Sequence, residues 1–237
     1  MAGTYPLVSY RICEVLNPAN CDTTTVTVVV SAAPIIAADD TVANVDGVAG
    51  NANVINIFTN DTLNGNPATL ATVNLTVSLI NPVPPQLTFN PLTGVVGVPA
   101  GTPAATYDFQ YTICEILNPT NCDDGLVTIT VGLSVIVAND DNFSATPVSG
   151  LLGGTTATVY SNDTLNGIAF APAAVNPTLI SNGGIVGLTM NPLTGTLVIP
   201  PATPAGSYPL VSYRICEVLN PANCDTTTVT VDRKSVV

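Results

Sequence analysis

The sequence predicts an all-β fold of tandem antiparallel sandwiches. Three observations predict it: the composition, an internal repeat, and the spacing of strand-like segments. The 237 residues include 33 Thr, 31 Val, 18 Gly and 20 Pro, and only 8% are charged. An average globular protein carries roughly 25% charged residues. β-Branched side chains fit a pleated surface, whereas Gly and Pro interrupt helices, so a helical bundle or coiled coil is excluded.

The repeat sets the organisation. YPLVSYRICEVLNPANCDTTTVTV occurs unchanged at residues 5–28 and 208–231, and a diverged copy occupies 107–131. Ala-Ala-Asp-Asp at 37–40 answers Ala-Asn-Asp-Asp at 138–141. Asn-Asp-Thr-Leu-Asn-Gly at 60–65 returns at 162–167, and Asn-Pro-Leu-Thr-Gly at 90–94 returns at 191–195. The expected organisation is therefore a partial repeat over 1–31 (its last two strands only), complete repeats over 32–132 and 133–232, and a tail over 233–237.

Within the first complete repeat a short strand is expected after Asp40. Asn53–Phe58 and Val73–Ile80 alternate or run apolar. Leu87–Asn90 and Val95–Val98 flank a Pro-Leu-Thr-Gly turn, and Thr106–Cys114 and Leu126–Val131 flank Asn-Pro-Thr-Asn. About seven short strands at such intervals predict a sandwich of immunoglobulin type. Two hallmarks of that type are missing: there is no Trp, and the Cys pairs are closely spaced.

Each repeat carries Cys-x7-Cys around Asn-Pro-x-Asn, a sequence suited to a tight turn. An antiparallel hairpin would set the two cysteines opposite one another, within bridging reach. The spacing predicts disulfides Cys13–Cys21, Cys114–Cys122 and Cys216–Cys224, and with them an oxidising compartment and export. The rival, a metal site, would need four thiolates from two hairpins a whole domain apart.

The charge pattern excludes other functions. Without His, neither a Ser-His-Asp hydrolase nor a His-ligated zinc or haem site can be built. A formal net charge of −12 repels phosphate, so no nucleic-acid partner is expected. No apolar stretch approaches the roughly 18 residues of a membrane-spanning helix, so no membrane insertion is expected. The opening MAGTYPLVSYR shows neither the basic nor the apolar region of a signal peptide. Paired carboxylates could serve a glycosidase, but nothing marks a cleft, and no catalytic residue is assigned.

Thirteen of the sixteen acids fall at equivalent loop positions, leaving Asp46, Asp108 and Asp232. On a sandwich these positions gather at one pole, facing the preceding repeat. Hard oxygen donors without His or free thiols suit Ca²⁺. Asp39, Asp40, Asp61, Asp140, Asp141 and Asp163 are thus candidate calcium ligands at the repeat junctions. The alternative is that Asp and Asn simply start turns and stay solvated. The seven tyrosines are expected to pack along the strands.

The acidic Ala-Asp-Asp and Ala-Asn-Asp-Asp starts, NDTLNG, NPLTG and the YxxCExxNPxNCD hairpin recur together and in this order. That set resembles the tandem immunoglobulin-like and cadherin-like repeats of very large cell-surface adhesins from Bacteroidetes-type bacteria, including gliding-motility adhesins. The resemblance covers both complete repeats and the partial one. It implies display outside the bacterial cell, a stalk or adhesive-fibre role, and calcium between neighbouring repeats at positions matched by Asp39, Asp40, Asp140 and Asp141. The full DxNDN linker of cadherins is absent. Asp-Thr-apolar sequences resemble an O-glycosylation signal of the same bacterial group and make Thr41, Thr62 and Thr164 candidate acceptors.

The expected function is a non-enzymatic structural repeat of an exported adhesin or filament, spacing and attaching. Its partners would be neighbouring repeats or identical chains, together with a surface, glycan or protein receptor of unknown identity. Residues 4–30 would either belong to an array or complete a sheet in another chain, head to tail. The alternative is an immunoglobulin-like module that binds a glycan or protein ligand through its polar loops.

Overall fold

The computed structural model describes residues 2–81 and 87–234. By internal contacts the chain forms two compact units. The first comprises Met1–Val45, Asn51–Pro99 and Thr106–Thr130, and the second Asp46–Gly50, Ala100–Ala105 and Val131–Val237.

The first unit opens with β1 (Gly3–Cys13) and β2 (Cys21–Val30), an antiparallel pair forming a sheet of its own. Ten further segments follow: β3 (Ile35–Ile36), β4 (Asp40–Asp46), β5 (Asn51–Asn56), β6 (Thr62–Leu63), β7 (Asn66–Pro67), β8 (Val73–Asn81), β9 (Thr88–Asn90), β10 (Val95–Val98), β11 (Ala105–Glu115) and β12 (Cys122–Gly132). One sheet has the order β4-β12-β11-β8, a second β5-β10-β9, and a small third β3-β6-β7. Period-two alternation along β11 turns Tyr107, Phe109, Tyr111 and Ile113 inward. Opposite them, Phe89 of β9 meets Phe109 with ring centroids 6.0 Å apart, so the two larger sheets face each other across the core.

The second unit repeats the plan with β13 (Ile136–Val137), β14 (Asp141–Asn142), β15 (Val148–Ser149), β16 (Gly154–Thr158), β17 (Thr164–Leu165), β18 (Val175–Asn182), β19 (Thr189–Asn191), β20 (Thr196–Ile199), β21 (Gly206–Glu217) and β22 (Cys224–Lys234). Here the large sheet is β14-β22-β21-β18, with β15 also on β22, and its counterpart is β16-β20-β19. Val159, Ile185, Leu197, Val211, Tyr213, Ile215, Val229 and Val231 fill the core and are fully buried.

The all-β sandwich with a stapled hairpin is thus the observed fold, with two refinements. β14 and β15 run parallel to β22, so the large sheet of this unit is not wholly antiparallel. Strand segments also outnumber the expected seven, because two-residue pairings form around the Asn-Asp-Thr-Leu-Asn-Gly loop. In that loop Asn64 and Gly65 both take positive φ (53° and 74°), as do Asn166 and Gly167 (52° and 73°). These are the angles of a type I′ turn. The expected strand Asn53–Phe58 stops at Asn56, whose side-chain Oδ1 accepts the Phe58 N–H and caps a 3₁₀ turn over Ile57–Thr59. Of the expected tail, residues 235–237 lie outside the described residues.

Disulfides join Cys13–Cys21, Cys114–Cys122 and Cys216–Cys224, with Cα atoms 4.0, 4.1 and 4.0 Å apart. Each spans the same turn: Asn20, Asn121 and Asn223 donate their N–H to the carbonyls of Asn17, Asn118 and Asn220 at 2.9, 2.8 and 2.8 Å. Among the described residues no helix is long and apolar enough to cross a membrane.

Candidate functional site

In the second unit, Asp140 and Asp141 stand at the start of β14, Asp163 lies in the loop before β17, and Glu217 and Asp225 flank the stapled turn. Asp225 Oδ2 accepts the Ala138 N–H at 2.9 Å. Asp140 Oδ1 accepts the Thr228 N–H at 3.0 Å and the Thr228 and Thr227 hydroxyls at 2.8 and 2.6 Å. Those bonds favour its ionised form and hold its carboxyl below the usual range. Asn223 Nδ2 donates to Ser134 O at 2.8 Å and to Glu217 Oε2 at 2.9 Å, and the Ser134 hydroxyl donates to Glu217 Oε1 at 3.1 Å. The acids therefore act as latches, tying the first strand and the loop to the hairpin.

Deeper in, Asp163 is 1% and Asp141 8% exposed. Asp163 Oδ1 accepts the Asn139 N–H at 2.8 Å. The hydroxyl of fully buried Tyr213 lies 2.8 Å from Asp163 Oδ2 and 3.3 Å from Asp141 Oδ2. Burial, and then the charge of Asp163, pushes Asp141 up to about 7. Burial also raises Asp163, and burial together with the neighbouring carboxylates raises the Tyr213 phenol.

The first unit builds the same arrangement. Asp123 Oδ2 accepts from Ala37 N, Asp39 Oδ1 from Leu126 N, and Asp61 Oδ1 from Ala38 N, at 2.9, 2.9 and 2.8 Å. The Tyr111 hydroxyl lies 2.8 Å from Asp61 Oδ1. Asn121 Nδ2 donates to Ala33 O and Glu115 Oε2 at 2.8 and 2.9 Å. Asp40 is 4% and Asp61 1% exposed, and each keeps a buried Oδ2 without a hydrogen-bond partner among the described residues. Burial, and then the charge of Asp61, pushes Asp40 up to about 6; burial raises Asp61 as well.

Of the six candidate calcium ligands, the structure pairs Asp40 with Asp61 and Asp141 with Asp163 in buried positions. Asp39 and Asp140 are exposed, each with one carboxylate oxygen bonded to backbone. Hard carboxylate oxygens are the right donors for Ca²⁺, which takes six to eight oxygens. The number gathered falls short: among the described residues no group of three or more Asp, Glu, Cys or His side chains is placed to hold a metal ion. The candidate glycosylation residue Thr41 is exposed, while Thr62 and Thr164 are half-buried in β6 and β17.

Two members of this site escaped the sequence reading, Tyr111 and Tyr213, expected only to pack along strands. Their signal was the fixed Tyr-x-x-Cys-Glu spacing, which places a phenol three residues before each first cysteine. The Asn of NPxN was read as a turn former, yet its side chain is a latch in both units.

No family model matches the chain, and no curated protein matches it. Among solved structures, mouse cadherin-23 EC22-24 aligns with a TM-score of 0.35 and 12% identity, over 93% of this chain and 72% of that one. The human desmocollin-1 ectodomain gives 0.31 and 12%, over 94% and 47%. Mouse clustered PcdhgC3 EC1-3 gives 0.35 and 13%, over 99% and 77%. The chain spans about half the length of the desmocollin-1 ectodomain.

Proposed function

We propose that the chain is a non-enzymatic segment of an exported surface adhesin or extracellular filament, a stalk that spaces an attachment site from a bacterial cell. The observation that carries this reading is the twice-built latch. In both units, acids at the first strand, the NDT loop and the stapled turn tie the same three segments together through protein groups. Hydrogen bonds that hold the first strand to the last brace the two ends of a module against being pulled apart. Three disulfides support export, since such bonds persist in oxidising surroundings. Neighbouring repeats are the natural partners, and Thr41, Thr62 and Thr164 are the residues where glycans would be attached.

Single-molecule pulling tests the reading. The two complete modules are expected to rupture as separate events. Each should release a contour length of about 300 Å, for roughly a hundred residues at about 3.3–3.6 Å apiece less the disulfide-locked turn. A chain that pays out smoothly at low force would reject the stalk.

A further inference from the structure

Residues 5–28 and 208–231 are the same 24-residue sequence in two surroundings. Both fold to the same hairpin. Val8, Tyr10 and Ile12 face Val26, Thr24 and Asp22, as Val211, Tyr213 and Ile215 face Val229, Thr227 and Asp225, and the register breaks at the same place in each. In β21–β22 the inward residues Val211, Tyr213, Ile215 and Val229 are 0% exposed. One edge of that hairpin pairs with β18, and the other with β14 and β15. In β1–β2 the corresponding Val8, Tyr10, Ile12 and Val26 are 58%, 49%, 64% and 41% exposed, and among the described residues the two strands pair only with each other. An apolar face with two open edges is a template for further pairing.

A swap between two copies of these residues supplies no vacant place: both sandwich bodies already hold their own last two strands, β11–β12 and β21–β22, so each exchange frees one hairpin for every one it covers. What fits is the complement that β21–β22 already has. It is a strand parallel to the hairpin's second strand, a strand antiparallel to its first, and an apolar sheet opposite. It also includes a pair of buried carboxylates, because the Tyr213 hydroxyl sits on Asp163 and Asp141.

We propose that β1–β2 is a preformed insertion hairpin that completes a β-sandwich body lacking its own last two strands, and that an aspartate pair in that body receives the Tyr10 hydroxyl. Because register and staple exist before docking, little conformational entropy is lost on insertion. The inference rests on reading the chain as serial modules, but its test is independent of the pulling experiment, which probes modules already complete.

The probe is a polypeptide of residues 133–205, the second repeat without its hairpin, mixed with the full chain. A one-to-one complex by size-exclusion chromatography with light scattering is expected, with amide exchange at Tyr10 and Val28 slowed at least tenfold. Val8→Asp should abolish the complex, and Tyr10→Phe should weaken it by about tenfold, the worth of one hydrogen bond to a carboxylate. The proposal is overturned if the full chain and probe elute apart while the same probe captures a free peptide of residues 206–234. It is equally overturned if the full chain alone self-associates through this face. A single chain with residues 133–205 joined ahead of Gly3 gives a second reading. Exchange at Tyr10 should slow there as well, and unchanged exchange would reject docking whatever the separate probe does.

Discussion

Two buried carboxylates side by side couple protonation to folding. Burial and the neighbouring charge raise Asp40 from 3.8 to about 6, and Asp141 from 3.8 to about 7. The folded chain therefore keeps protons that the unfolded chain would release. Their stabilisation is complete below about pH 3.8 and is lost as pH rises through about 6 in the first unit and about 7 in the second. Melting temperature is accordingly expected to fall between pH 5 and pH 8, by an amount equivalent to about 1–2 kcal/mol in the first repeat and about 2–3 kcal/mol in the second. Asp40→Asn removes the buried charge that Asp61 opposes. It should raise the melting temperature at pH 8 and flatten the first unit's pH dependence. A variant that melts lower than the parent at pH 8 would show that the pair is not strained by charge.

At the scale of the element, the turns carry the most stringent demands. In Asn-Pro-Leu-Thr-Gly, Asn191 Oδ1 accepts the Leu193 N–H and Gly195 N–H returns to Asn191 O, at 3.0 and 2.8 Å. Gly195 has φ of 67°, and a Cβ there would lie 2.6 Å from both Thr158 Oγ1 and the Tyr160 ring. Gly195→Ala should destabilise the second unit by at least about 2 kcal/mol in urea unfolding, combining a left-handed backbone with a steric clash. The staple is milder: the entropy of closing so short a loop is about 2.5 kcal/mol, so reduction should lower the unfolding midpoint without abolishing the fold. These turns were legible from sequence because local chemistry dictates them: Pro-Leu-Thr-Gly and Asn-Pro-x-Asn are turn sequences, and the second brings its flanking cysteines together. The roles of Asn121, Asn223, Tyr111 and Tyr213 were not. Each bonds to a residue between 50 and 89 positions away, and nothing in a local pattern names such a partner. The tandem sandwiches were readable for a third reason, since a period of about a hundred residues reports module size directly.

For the molecule as a whole, carboxylates of the acidic loops serve as latches between strand ends. Asp39, Asp123, Asp140 and Asp225 each give an oxygen to a backbone N–H. Such use of carboxylates fastens a strand without a metal. Exchanging chelator for millimolar calcium is therefore expected to leave the melting temperature unchanged, and a rise of several degrees would show a cation at the aspartate pairs. The staples have another effect, on backbone cleavage. Leu16 and Leu117, inside the bridged turns, are 93% and 71% exposed, the sort of site a protease reaches first. Because Cys13–Cys21 and Cys114–Cys122 bracket them, a nick there leaves both fragments covalently tied, and the tether holds until a reductant arrives.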